Sequence, residues 1–156
     1  MPNKSYFIEI AKAVRLASKD KSRRVGAVIV DTKGGIRATG YNGFPRGVND
    51  DNILRHERPA KYLYTEHSER NAIYQAARSG TSTENCSLYT WAEGSGLGVC
   101  SDCARAIIQS GIVSVVVQRP DNQEGAASWQ VDWPSEDLTA AAEMLAEAGV
   151  TLEYAD

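Results

Sequence analysis

The sequence holds only three cysteines and two histidines. An odd number of thiols gives no closed disulfide framework. The N-terminus, MPNKSYFIEIAKAV, carries Glu9 and Lys12 inside its apolar stretch, so it reads as an amphipathic helix and not as a secretory signal. A reducing compartment, the cytoplasm, is therefore expected. No apolar run reaches the ~18 residues of a membrane span, so no membrane partner is expected. Excess positive charge is missing too. Lys and Arg number 17 against 20 Asp and Glu, for a net charge of −3. That balance argues against broad binding to a nucleic-acid backbone. No internal repeat or low-complexity tract occurs. What remains is 156 residues, 42% apolar and 24% charged. This is the size and composition of one domain, residues 1–156, with a sheet and a helical layer on each side.

The spacing of Phe7, Ile8, Ala11, Val14 and Leu16 predicts a helix over 5–18. RVGAVIVD, from Arg24, is a β-branched run. Lys33-Gly34-Gly35 supplies a turn, and IRATGY resumes as a second strand, which makes an antiparallel hairpin. Residues 42–65 contain two prolines and no clear period, and a loop of that length is usually functional or flexible. Ser68 to Arg78 favours helix, with Gly80 as terminator. Cys86 to Trp91 reads as a strand and Ser101 to Gln109 as a helix. Ile112 to Val117 has the continuous apolar run of a buried parallel strand. Pro134-Ser135 opens a last helix to Ala148, and VTLEY ends the chain as a strand. Strands and helices alternate after the hairpin, which predicts an α/β fold with helices on both faces of a mixed sheet.

Two fragments carry candidate chemistry. His67-Ser68-Glu69 opens one predicted helix, and Cys100-Ser101-Asp102-Cys103 opens another. Zinc takes imidazole and thiolate ligands in tetrahedral geometry, and a catalytic site keeps one position open. His67, Cys100 and Cys103 supply three ligands and leave a fourth position. A helix N-terminus also favours thiolate. A structural zinc site would need a fourth ligand. The remaining candidates are His56, in the loop HERP and expected at the surface, and Cys86, expected as a small buried thiol. Glu69 lies in the first turn beside His67, where a carboxylate can take a proton from water and hand it to a substrate nitrogen. H-x-E followed by P-C-x-x-C is the signature of zinc deaminases, which this chain matches except for Val99 at the proline position. Taken alone, the C-x-x-C could equally be redox or structural.

With these motifs, the sequence resembles the deoxycytidylate deaminases of the zinc-dependent cytidine deaminase superfamily. RRVGAVIVD resembles the family's first strand, ATGYNGFPRG its G-Y-N-G-x-P-x-G segment, and CARAIIQSGI its second zinc helix. The resemblance covers residues 5 to about 118 well, and the C-terminal helix and strand more loosely. It implies a three-layer cytidine deaminase-like fold with a five-stranded mixed sheet. It also implies hydrolysis of dCMP to dUMP and ammonia, one zinc per chain, a homo-oligomer, and dCTP and dTTP as effectors. By the same resemblance His67, Cys100 and Cys103 are the zinc ligands, Glu69 is the proton shuttle, and Asn42 bonds the substrate sugar. Arg24 stands where some relatives place a basic residue near the phosphate. Val25, beside it, and Ser68 complete the substrate-binding set. Ser68 stands where the family usually has Ala, and its backbone N–H remains for the base oxygen.

A second departure is larger. Thr90 is followed by WAEGSGLGVC, longer than in relatives, with Val99 in place of the proline before the first zinc cysteine. Without that proline, and with Gly94, Gly96 and Gly98 upstream, the segment is expected to move and to close over substrate. Trp91 would either report that motion or end the strand as a core residue. The altered loop keeps two alternatives open: another cytosine nucleoside or nucleotide as substrate, such as a 5-substituted dCMP, or a catalytically silent zinc- or nucleotide-binding regulator.

Overall fold

The structure, a computed structural model, describes residues 2–94, 98–118 and 135–155. Five strands form one sheet in the order β2-β1-β3-β4-β5. They are β1 (Val25–Val30), β2 (Ile36–Tyr41), β3 (Ser87–Ala92), β4 (Ser114–Gln118) and β5 (Thr151–Ala155). β1 runs antiparallel to both β2 and β3, whereas β3, β4 and β5 are parallel. The helices are α1 (Lys4–Val14), α2 (Lys61–Tyr64), α3 (Ser68–Arg78), α4 (Ser101–Gln109) and α5 (Ser135–Glu147). The order expected from the sequence is recovered. Pro134, expected to open α5, lies outside the described residues, as do Ser95, Gly96 and Leu97 of the lengthened loop.

Successive side chains of a strand point to opposite faces, and the apolar runs of β1 and β4 serve both. Val28, Val30, Tyr89 and Val116 pack with Phe7, Ile8 and Ala11 of α1 on one face. Ala27, Ile29, Leu88, Val115 and Val117 pack on the other with Ala72 and Ala76 of α3, Ala104 and Ile107 of α4, and Ala141 and Leu145 of α5. The sheet is therefore the middle of three layers. The hairpin turn follows its residues: Asp31 Oδ1 accepts N–H bonds from Lys33 at 2.8 Å and Gly35 at 2.9 Å. Gly34 sits at φ 85°, which favours glycine.

One connection differs from expectation. The 42–65 segment contains a 3-10 turn, Ile53–His56, and the short helix α2. His56 is not a surface residue there; it is half-buried, stacked on Phe44 with centroids 4.5 Å apart. A polar, proline-containing run hides such order because local aromatic contacts, not periodicity, create it. Trp91, next to last in β3, is partly buried against the α1-side core with the Arg15 guanidinium 4.5 Å over its ring. Its place is at the margin of the core. Cys86 is a buried thiol, 2% exposed, as expected.

Gly40 of β2 sets how closely α3 lies on the sheet. A Cβ at Gly40 would stand 2.3 Å from both Ser68 O and Ala72 N, backbone atoms of α3. Backbone this close cannot yield without moving the helix. Gly40→Ala should therefore lose about 1–3 kcal/mol of stability in denaturant titration. Gly43→Ala, where a Cβ meets nothing within 4 Å, should lose less.

Candidate active site

Two helix starts meet at one edge of the sheet. His67 is the N-cap of α3, and its side chain makes no capping bond. An N-cap normally spends a side-chain oxygen on the helix; here the imidazole instead faces two sulfurs. Cys100 is the N-cap of α4, and its Sγ accepts the Cys103 N–H at 3.4 Å. His67 Nδ1 lies 3.4 Å from Cys100 Sγ and 3.5 Å from Cys103 Sγ. Ligand atoms of all three lie within 4.8 Å of one another, the one such group found among the described residues. One imidazole and two thiols, with a buried carboxylate beside them, is a donor set that fits zinc.

Local charge agrees with that chemistry. The hydrogen bond from Cys103 pulls the Cys100 thiol down to about 6 against burial, with His67 helping. The same bond, together with burial, pushes Cys103 well up. Burial works against a charged His67, but its bond to Cys100 and the nearby Glu69 carboxylate outweigh that and raise it. Glu69 is 7% exposed and takes a 2.9 Å hydrogen bond on Oε2 from the Ser68 hydroxyl. Cys103 Sγ lies 3.8 Å from the same oxygen.

A cavity of about 590 Å³ opens over this cluster. Val25, Asn42, Ser68 and Glu69 are among the residues that line it. Asn42 is locked by its own amide: Oδ1 accepts the Val25 N–H at 2.8 Å and Nδ2 donates to Arg23 O at 2.9 Å. Gly43 and Glu66 exchange backbone bonds of 3.1 and 2.8 Å, which holds the GYNG segment against the approach to His67. Arg24 is not among the lining residues. Its guanidinium pairs with Glu93, Nη2 to Oε1 at 2.7 Å and Nε to Oε1 at 2.9 Å. Arg23 does line the cavity, with Nε bonded to Glu93 O at 2.9 Å.

Several lining residues escaped the sequence reading. Asp20 and Lys61 pair at 2.9 Å, nearly buried, and Asp20 Oδ1 also accepts the Ser22 and Arg23 N–H groups. Arg70 Nη1 reaches Asp102 Oδ2 at 3.2 Å and so joins α3 to α4. Leu138 of α5 completes one wall. Only the acidic first turn of α5 hinted that this helix contributes, and nothing paired Asp20 with Lys61 across 41 positions.

With this geometry in place, comparison with known proteins is informative. Residues 1–119 match the profile of the cytidine and deoxycytidylate deaminase zinc-binding region. The chain belongs to this deaminase family. It is 36% identical over 152 residues to the deoxycytidylate deaminase of Mus musculus, covering 94% of this chain and 75% of that protein. The Homo sapiens deoxycytidylate deaminase is 35% identical over the same shares. Among solved structures, the dCMP deaminase of cyanophage S-TIM5 superposes with a TM-score of 0.69 at 24% identity, over 97% of this chain and 96% of that one. That likeness extends to the fold and its mixed five-stranded sheet. Membership makes the chain a zinc-binding hydrolytic deaminase.

Two outcomes check the site. Metal analysis should give one zinc per chain, falling close to zero in Cys103→Ala, where two helix starts lose a shared anchor. The pair of Asp20 and Lys61 should show in acid. Burial opposes the charged Asp20, but backbone bonds from Arg23 and Ser22 and the Lys61 ammonium hold its carboxyl below the usual 3.8. A carboxyl depressed in the folded state stabilises above its unfolded value and loses that contribution as pH falls through the folded one. Asp20→Asn should therefore cost about 3 kcal/mol near neutrality, with the gap from the parent closing below about pH 4 in urea titrations.

Proposed function

We propose that the chain hydrolyses dCMP to dUMP and ammonia, with residues 1–156 acting as one deaminase domain. The observation that carries this is the convergence of His67, Cys100 and Cys103 with the buried Glu69 carboxylate at the base of a nucleotide-sized cavity. The deoxycytidylate deaminases of mouse and human, at 36% and 35% identity, supply the substrate class. His67 Nδ1 and the two sulfurs would hold the ion. Zinc bound there supplies a Lewis acid that makes water a nucleophile near neutral pH.

The chain's own groups do the rest. Glu69 takes one proton from the attacking water and delivers it to the base ring nitrogen; it then takes the remaining hydroxyl proton of the adduct and delivers it to the amine, which leaves as ammonia as the new carbonyl forms. Its recorded bonds both fall on Oε2, so Oε1 is the oxygen we assign to proton transfer. The Ser68 N–H serves the base oxygen. Asn42, whose amide is fixed by Val25 and Arg23, meets the sugar with its remaining donor and acceptor capacity. Val25 forms the wall beneath it. Arg23, within the cavity wall, is assigned to the phosphate by charge-assisted bonding. Arg24, paired to Glu93, steadies the same loop and adds to the field the phosphate meets.

The same reading places the protein in the cytoplasm as a homo-oligomer with dCTP and dTTP as effectors. Its three free thiols suit a reducing compartment. Ile53, Leu54 and Leu63 are 63%, 70% and 86% exposed, apolar surface that a second subunit would cover.

Ammonia release from a panel of dCMP, 5-methyl-dCMP, deoxycytidine and dCTP is the test. dCMP should be turned over best, with deoxycytidine poor and dCTP inert. Equal efficiency on deoxycytidine would move the protein to nucleoside chemistry. Glu69→Gln should keep its zinc and lose ~10²–10⁴-fold in kcat. Arg23→Ala should raise KM for dCMP about tenfold, the loss of one charge-assisted bond, and leave deoxycytidine kinetics unchanged.

A further inference from the structure

The turn bearing both candidate sulfur ligands is held from outside by the C-terminal helix. Ser101, the first residue of α4, donates its backbone N–H to Asp137 Oδ2 at 2.9 Å. Its hydroxyl donates to Asp137 Oδ1. Asp137 lies in the first turn of α5, 36 positions along the chain and beyond the 1–119 segment that matches the family profile. A helix start leaves its first N–H groups without intrahelical acceptors. At α4 these are divided: Cys100 Sγ takes the Cys103 N–H, and Asp137 takes that of Ser101.

The backbone before Cys100 offers little conformational restraint. Val99 lacks the fixed φ of proline, and Gly98 sits at φ 126°, a region open to glycine. Val99 is anchored by burial, at 3% exposure, but burial fixes its side chain more than the torsions on either side. The bonds of Ser101, directly after Cys100, thus add to the Cys103 N–H bond and the Arg70–Asp102 pair in holding the turn. Ser101 donates both of its bonds, and one carboxylate on a different helix accepts them.

We propose that Asp137 is a positioning residue for the metal. By bonding the N–H and the hydroxyl of Ser101, it fixes the Cys100–Cys103 turn in its ligating arrangement. The inference rests on the reading of His67, Cys100 and Cys103 as the zinc site. Groups that hold ligands without touching the ion typically change metal affinity ~10–100-fold.

The test challenges zinc-loaded parent, Asp137→Ala, Asp137→Asn, Ser101→Ala and Glu136→Ala with a chromophoric chelator. Heat unfolding of each metal-stripped protein is followed in parallel. Asp137→Ala should release zinc about tenfold faster or more. Asp137→Asn keeps an acceptor for the Ser101 N–H and should recover most of the difference. Ser101→Ala, which loses only the hydroxyl bond, should fall between parent and Asp137→Ala. Glu136→Ala, an exposed change in the same helical turn, should match the parent. The metal-stripped Asp137→Ala protein should unfold within about 3 °C of the metal-stripped parent, a shift below that of 1 kcal/mol. Unchanged release in Asp137→Ala overturns the proposal. So does a release that only tracks a lowered unfolding temperature, or equal release from Glu136→Ala. If Asp137→Ala does not fold, unchanged release from Ser101→Ala and Asp137→Asn together also overturns it. A parent that fails to hold one zinc refutes the site itself, an outcome separate from all of these.

Discussion

Everything at this site depends on one steric constraint: the starts of two helices must approach each other closely enough for an imidazole and two sulfurs to share a single point in space. Side chains cannot make up a helix displacement of several ångströms, so the backbones must be set first. Gly40 lets α3 lie directly on β2, and the parallel pair β3 and β4 carries α4 beside it on the same face of the sheet. Arg70 and Asp102 then join the two helices through their first turns. The ligand cluster is the product of these contacts, and the substrate cavity is the space left over them.

The opposite directions of β1 and β3 explain why the hairpin matters to chemistry. In that antiparallel pairing Val25 sits across from Ala92. The beginning of one strand and the end of the other therefore share the edge where the ligands gather. Arg23 and Asn42 are brought there by the hairpin, and Glu93 by β3. The polar groups of this rim bond mainly to one another: Asn42 to the backbone of residues 23 and 25, Asp20 to Lys61, Glu93 to Arg24. Such a rim is preorganised, because its donors and acceptors are already oriented before a ligand arrives.

The sequence made some of this legible and hid the rest for identifiable reasons. Strands and long helices could be read because each carries a period or an apolar run that burial requires. His67, Glu69, Cys100 and Cys103 could be read because metal chemistry restricts residue type and spacing together. Asn42 followed from the resemblance of GYNGFPRG to a known segment. Arg24 and Arg23 are adjacent and alike in composition, and only the location of Glu93 separates their surroundings. Asp20 with Lys61, and Ser101 with Asp137, are pairs between distant positions, which no local pattern encodes. The short order within residues 42–65 rests on Phe44, His56 and Tyr64 meeting in space, which likewise leaves no periodic trace.

The cavity wall draws on residues from Asp20 to Leu138, and that spread has a bearing on how the molecule is made. A growing chain acquires the hairpin, His67 and Glu69 first, the two thiols later, and the last wall only once α5 has emerged. The bond between Arg24 and Glu93 alone closes 69 positions of chain, a slow step when contacts are far apart in sequence. A half-synthesised chain thus offers two histidines and no thiol, too poor a set to retain zinc. Tight metal capture arrives with the finished tertiary structure, and the ion stabilises the native state over every incomplete one.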